Sequence, residues 1–270
     1  MLIEPLFGEF LGGLGSFVME HEYEIAITPT TSVKELDAYA AMARSGRVDG
    51  LIVSSPVVKD PRVAFLAQSN LPFILHGRTQ CSDTYPWMDI DNENAFFKST
   101  RYLTDLGHRK IALVNEKPGL TFASHRLEGY SRALTDAGLK VLDDLVVTGQ
   151  LTHDTGYTAT CELLALSEPP TAIVVSSVIM ALGVMQALRE NKIAIGQEIS
   201  LIAHDDGLPH LRTDSMDPPL TITRSSIRDA GFRIGELLVD LMNGKDRSEV
   251  SELWPVDLII RQSTGPMLKR

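Results

Sequence analysis

The stretch "SLIAHDDG", Ser200 to Gly207, is an apolar run that ends in His204, Asp205, Asp206 and Gly207. An imidazole beside two carboxylates admits three chemistries: a metal site, an acid/base pair, or a clamp that accepts protons from ligand hydroxyls. Other apolar runs also close on polar residues. His76 and Arg78 stand at the end of "PFILHG", Asp89 lies in "WMDID", and Ser176 and Ser177 follow "AIVV". Arg126, in "ASHRLEGY", is read as lying just ahead of a helix. Each of these alone is a surface charge or a cap. Gathered at successive strand ends, they become candidates for a ligand cleft, because open α/β sheets bind ligands beyond the carboxyl ends of their strands. Carboxylates that accept hydroxyl protons, arginines that donate to oxygens and aromatics that cover apolar faces are the groups that hold sugars. Phe7, on the first helix, completes the candidate set of Arg126, Asp205, Arg78, Ser177, His76, Asp89 and Phe7.

Rival motifs are weak. "GGLGSF" (12–17) lies inside a helical pattern and lacks the Lys-Ser/Thr of a phosphate loop, so close helix packing explains it better. "HEYE" (21–24) has no second histidine for a zinc helix, and no G-x-S-x-G elbow is present. The seven histidines show no metal-ligand spacing. A metal at "HDDG" would need further carboxylates converging on it, and Asp89 is the one candidate. No metal, cofactor or catalytic residue is therefore expected.

The elements that must position these residues alternate. Strands are predicted over 23–28, 50–55, 72–77, 87–91, 110–115, 145–149, 172–177, 200–205, 220–224 and 254–261, with amphipathic helices between them. The first helix sets Phe7, Phe10, Leu11, Leu14 and Val18 on one face. Another opens at Asp91 or Asn92 as N-cap, carries Phe96, Thr100 and Leu103 inward, and stops at Gly107. This alternation predicts an α/β fold of parallel sheets. "YEIAIT" (23–28) needs a parallel neighbour, yet "MLIE" is too short to supply one. The expectation is that the chain is a fragment of a longer protein.

Composition narrows the function classes. At 270 residues, 44% hydrophobic and 22% charged, the chain is an ordinary globular sequence of one large or two medium domains. A net charge of −10 argues against a nucleic-acid-binding surface within it. No apolar run approaches the roughly 18 residues of a membrane span, and no signal peptide is visible. Cys81 and Cys161, 80 residues apart, read as free thiols of a reducing cytosol, which gives a cytoplasmic location.

Several stretches together resemble the LacI/GalR family of bacterial transcriptional regulators. They are "DNENAFFKSTRYLTDLGHRKIALV" (91–114), "RLEGYSRALTDAGL" (126–139), "PPTAIVVSSVIMALGVMQAL" (169–188), "SLIAHDD" (200–206), "PPLTITR" (218–224) and "LIIRQSTGP" (258–266), in family order. The resemblance implies two doubly wound parallel-sheet lobes, built like a periplasmic sugar-binding protein, with a ligand cleft between them. It divides the chain into 1–91 plus 225–254 and 92–224 plus 255–270, with crossings near Asp91, Arg224 and Trp254–Pro255. Arg126 then matches the arginine that holds effector hydroxyls or carboxylate, and Asp205 the aspartate that accepts hydroxyl protons. Asp206 is expected to point outward or to cap the next turn. Ser177 and Val178 stand where many members carry Asn and Asp. "LHGR" replaces the commoner "LIDR", so Gly77 offers no carboxylate while His76 is new to the cleft. The family's first strand and helix-turn-helix would precede Met1.

The resulting expectation is the effector-binding and dimerisation core of a sugar-responsive repressor, with an α-glucoside as effector. It would be a homodimer that reaches operator DNA only through a helix-turn-helix outside this chain. The alternatives are an exported solute-binding protein of a transporter and a sugar hydrolase using Asp205 and Asp89.

Overall fold

β-branched runs of four to six residues become strands here because both sheet faces are covered, which removes the polar alternation of a half-exposed strand. The computed structural model describes residues 5–31 and 34–267. They divide into two compact units, the first drawn from Met1–Ile90 and Ile227–Trp254, the second from Asp91–Ser226 and Pro255–Arg270.

The first unit contains α1 (Pro5–His21), α2 (Glu35–Ser45), β1 (Leu51–Ser54), α3 (Pro61–Ala67), β2 (Phe73–His76) and β3 (Trp87–Ile90). The chain returns to it as α8 (Ile227–Met242) and β9 (Ser251–Trp254). Its sheet runs β1-β2-β3-β9, all parallel. The strand period of two divides β2: Ile74 joins the core of Phe10, Met88, Ile234 and Leu237, while Phe73 and Leu75 join Val53, Val63 and Leu66. α1 lies against α8 with backbone touching backbone. A methyl group at Gly13 would sit 1.8 Å from the Arg228 carbonyl oxygen, and one at Gly231 would sit 2.1 Å from that of Phe10. The glycine run of α1 therefore serves close helix packing.

Two expected strands differ. Residues 23–28 form no strand and have no ladder partner among the described residues, and Ile25 and Ile27 are 38% and 49% exposed. Strand alternation is present there without a neighbour to complete its hydrogen bonds. The single strand expected over 254–261 is two. β9 ends at Trp254, Pro255 interrupts the ladder, and β10 (Asp257–Ile259) begins in the other unit.

The second unit contains α4 (Asn92–Asp105), β4 (Ile111–Glu116), α5 (Thr121–Asp136), β5 (Val146–Gly149) and α6 (His153–Leu164). β6 (Ala172–Val175), α7 (Val178–Glu190), β7 (Ser200–Asp205) and β8 (Thr221–Arg224) follow, with β10 at one edge. The order is β10-β8-β7-β6-β4-β5, parallel except for β10 against β8. Ala112, Val114, Ile173, Val175, Leu201 and Ala203 pack with α6 and α7. Their alternates Leu113, Val174 and Ile202 are as deeply buried on the other face, where α4 and α5 lie.

α4 opens on Asp91, whose side chain accepts from Asn94 N, and ends before Gly107 at φ +93°. His108 then turns inward rather than toward the helix end. Its Nε2 donates to Gly265 O at 3.0 Å and its Nδ1 accepts from Thr171 Oγ1 at 2.9 Å, which ties the C-terminal segment to the sheet. Burial holds this imidazole below its ordinary value of 6.5, partly opposed by the Gly265 bond.

Candidate functional site

In the second unit β5 and β6 lie on opposite sides of β4, so the sheet reverses its direction of growth between β4 and β6. Such a switch point leaves a crevice at the carboxyl ends of the strands. Arg126 spans it. It sits inside α5, in the second turn, not ahead of the helix as the sequence suggested. From the helix that follows β4, its Nη1 donates to the carbonyl of Ser176, one residue beyond β6, at 2.7 Å. Its Nε donates to Asn92 Oδ1 at 2.8 Å. The guanidinium carbon stands 4.8 Å from the ring centre of Phe122 and 5.3 Å from that of Phe96. At 4% exposure this cation is out of water, and the carbonyl oxygens and ring faces replace its hydration.

Asp205 closes β7, two residues beyond the registered pair Val175–Ala203, and is also buried. Its Oδ1 accepts from Gly207 N at 2.9 Å and its Oδ2 from Thr213 Oγ1 at 3.2 Å. A carboxylate has about four acceptor positions, so two protein bonds leave capacity for ligand hydroxyls. Asp205 thus caps the turn, one of the two roles, outward-facing or capping, expected of Asp206. Asp206 instead sets Oδ1 3.3 Å from Nε2 of His204, whose buried ring also bonds Thr223 Oγ1 and Ser225 Oγ. "HDDG" therefore separates into a buried histidine paired with the half-buried Asp206, and a second, buried aspartate at the strand end. Among the described residues no three of His, Cys, Asp or Glu gather as metal ligands.

Ser177 is the N-cap of α7 and accepts from Ile179 N at 3.2 Å, leaving its hydroxyl proton to donate elsewhere. Three residues around the candidate site escaped sequence reasoning. Asn92 and Phe122 surround the arginine, and Asn115, near the end of β4, donates from Nδ2 to Ala123 O. The Asn115 signal was available, as the one polar residue closing the "IALV" run.

The first unit gathers most of the other candidates at the carboxyl ends of β2 and β3. Arg78 Nε donates to Asp89 Oδ2 at 2.9 Å, and its guanidinium carbon stands 5.5 Å from the Trp87 ring centre. Asp89 Oδ1 also accepts from Ile90 N. His76 stacks on Phe10 with ring centres 4.8 Å apart. Gly77 adopts φ +112°, and a Cβ there would meet Pro56 at 2.7 Å, so no carboxylate-bearing residue fits without strain. Phe7 is half-buried on α1, and no ring contact among the described residues joins it to this group. Asp89 and Asp205, the pair a hydrolase would use, belong to different units. Cys81 and Cys161 are free thiols.

Residues 100–264 match the family model described as a periplasmic binding protein-like domain. The transcriptional regulator AglR of Rhizobium meliloti (strain 1021), of the helix-turn-helix type, is 41% identical over 96% of this chain and 73% of its own length. A regulatory protein of the LacI family from Chloroflexus aggregans has a related crystal structure, with a TM-score of 0.84 and 32% identity over 96% of this chain and 92% of that one. The chain belongs to the LacI family. It is the effector-binding core of a transcriptional regulator, with the periplasmic-binding-protein-like fold, and these relatives favour that reading over a transporter's solute-binding protein. The relatives are regulators rather than enzymes. A further LacI-like structure, of the CelR–cellobiose complex, matches with a TM-score of 0.83 at 25% identity over 97% of this chain and 80% of that one. No described helix of this LacI-family core is long and apolar enough to cross a membrane.

Proposed function

We propose that this LacI-family core binds a sugar, an α-glucoside, and that occupancy changes the operator affinity of a cytoplasmic, homodimeric repressor. DNA contact belongs to a helix-turn-helix outside residues 1–270. The supporting observation is Arg126, a buried guanidinium held across a topological switch point by bonds to Asn92 and Ser176. Asp205 lies at the end of β7, the strand beside β6. A hydroxyl between a guanidinium and a carboxylate uses both of its polar roles, accepting from one and donating to the other. The Ser177 hydroxyl adds a donor. Within the first unit, the Arg78–Asp89 ion pair sets a donor and an acceptor 2.9 Å apart, with His76 and Phe7 as its other candidates. The cellobiose in the CelR complex supports a disaccharide-sized ligand in this fold.

A thermal-unfolding screen tests the reading. Maltose, sucrose and trehalose are set against ribose, cellobiose and free amino acids. A ligand at 100 times its dissociation constant adds about 2.7 kcal/mol, a rise of several degrees for a unit of this size. A rise with an α-glucoside supports the proposal. A rise confined to amino acids overturns the sugar reading, and one confined to ribose or cellobiose overturns the α-glucoside.

A further inference from the structure

We infer that Asn92 is the positioning residue for Arg126, setting the direction in which the guanidinium meets the effector; the inference rests on the role proposed for Arg126. Asn92 is the first residue of α4, and it is 2% exposed. Its Oδ1 accepts from Arg126 Nε at 2.8 Å. Together with the Nη1 bond to Ser176 O, this holds the guanidinium at both Nε and Nη1. A planar group fixed at two nitrogens has a fixed plane, and so a fixed direction for each of its N–H bonds. Phe122 and Phe96 confine it further, but ring faces constrain distance more than orientation.

The contact depends on how closely α4 and α5 approach. A methyl at Gly129 would lie 1.9 Å from Glu93 O, so the helices meet backbone to backbone directly beside Asn92. Asn92 is also the second residue after the break between the units at Ile90–Asp91. The arginine is thereby bonded to the point where the chain passes from one unit to the other.

The test is a double-mutant cycle on the full chain, read by calorimetry with maltose and sucrose. Asn92→Ala lowers affinity on the order of tenfold, the loss expected when a buried charge-assisted bond is removed. Asn92→Asp, which keeps an acceptor oxygen in place, restores binding to within about threefold of the parent. In the Arg126→Ala background, Asn92→Ala causes no further loss. An equal loss in both backgrounds, or parent-like binding by Asn92→Ala alone, overturns the inference. Parent-like binding by Arg126→Ala overturns the proposed role of Arg126 and the inference with it, and that single variant identifies the failure. A second measurement needs no sugar: the Arg126 Nε–H signal in nitrogen-15 spectra, assigned by its loss in Arg126→Lys, exchanges slowly in the parent and rapidly in Asn92→Ala. Unchanged exchange also overturns the positioning role.

Discussion

Asp205 does two things at once: it holds the turn through Gly207 N and Thr213 Oγ1, and it presents acceptor capacity at a strand end. Its substitutions should separate these roles. Asp205→Ala leaves buried donors unpaired and costs about 1–3 kcal/mol of stability, as well as sugar affinity. Asp205→Asn keeps one carbonyl oxygen for the turn, so its unfolding temperature stays nearer the parent while sugar binding still weakens about tenfold. Asp206→Ala leaves sugar affinity within about twofold, because that carboxylate faces His204. Thermal unfolding and titration of the three variants check this, and strong loss of binding in Asp206→Ala alone would assign the clamp to the wrong aspartate. His108 gives a pH dependence of known sign. Its folded value lies below 6.5 through burial, so the unfolded chain takes up the proton first as pH falls. Stability from the neutral ring is complete above pH 6.5 and erodes below it. The unfolding temperature of His108→Gln should be lower than the parent's at pH 7.5 yet fall less between pH 6.5 and 5. Equal falls would assign the acid loss to other groups. Asp205 was legible as a carboxylate closing a strand, whereas Arg126 was singled out through its family motif and its place inside α5 was not. Asn92 and Phe122 were not legible, because their meeting with Arg126 is set by the α4–α5 approach, which spacing along the chain does not encode.

Helix crossings carry the next level. At Gly13 a methyl would lie 1.8 Å from Arg228 O, whereas at Gly15, two residues on, it would meet nothing within 4 Å. Gly13→Ala must push α1 off α8 and should cost about 1–3 kcal/mol. Gly15→Ala removes backbone freedom from the unfolded chain and should gain about 0.4–1 kcal/mol. Chemical denaturation of both separates them, and equal effects would mean that α1 does not pack as closely as the backbone contact requires. Spacing made the helical character of this stretch legible but not which glycine touches α8. The strands show the same limit. Runs such as "SLIAHD" became strands because neighbours cover both faces, while "YEIAIT" has strand composition and no described partner. Pro255, visible in the sequence, divides the last run between two sheets, and a window that averages over it reads one strand.

At the scale of the whole molecule, the α/β class and nearly all of the elements were legible, because alternating helices and strands with short connections admit few topologies. The assembly was less so. α1 leaves Met19 86% exposed at its end, and the family reading expects a two-fold dimer. Sedimentation at micromolar concentration should give twice the 29.7 kDa chain mass, and a single species at the chain mass would contradict the dimer. A sugar held by Arg126 and Asp205 is tested most directly by calorimetric titration of the parent, Arg126→Ala and Asp205→Ala with maltose and sucrose. Saturable binding at one site per chain is expected in the parent, weakened about five- to 150-fold by either substitution. Binding of equal strength in all three proteins, or none in the parent at millimolar sugar, would contradict it.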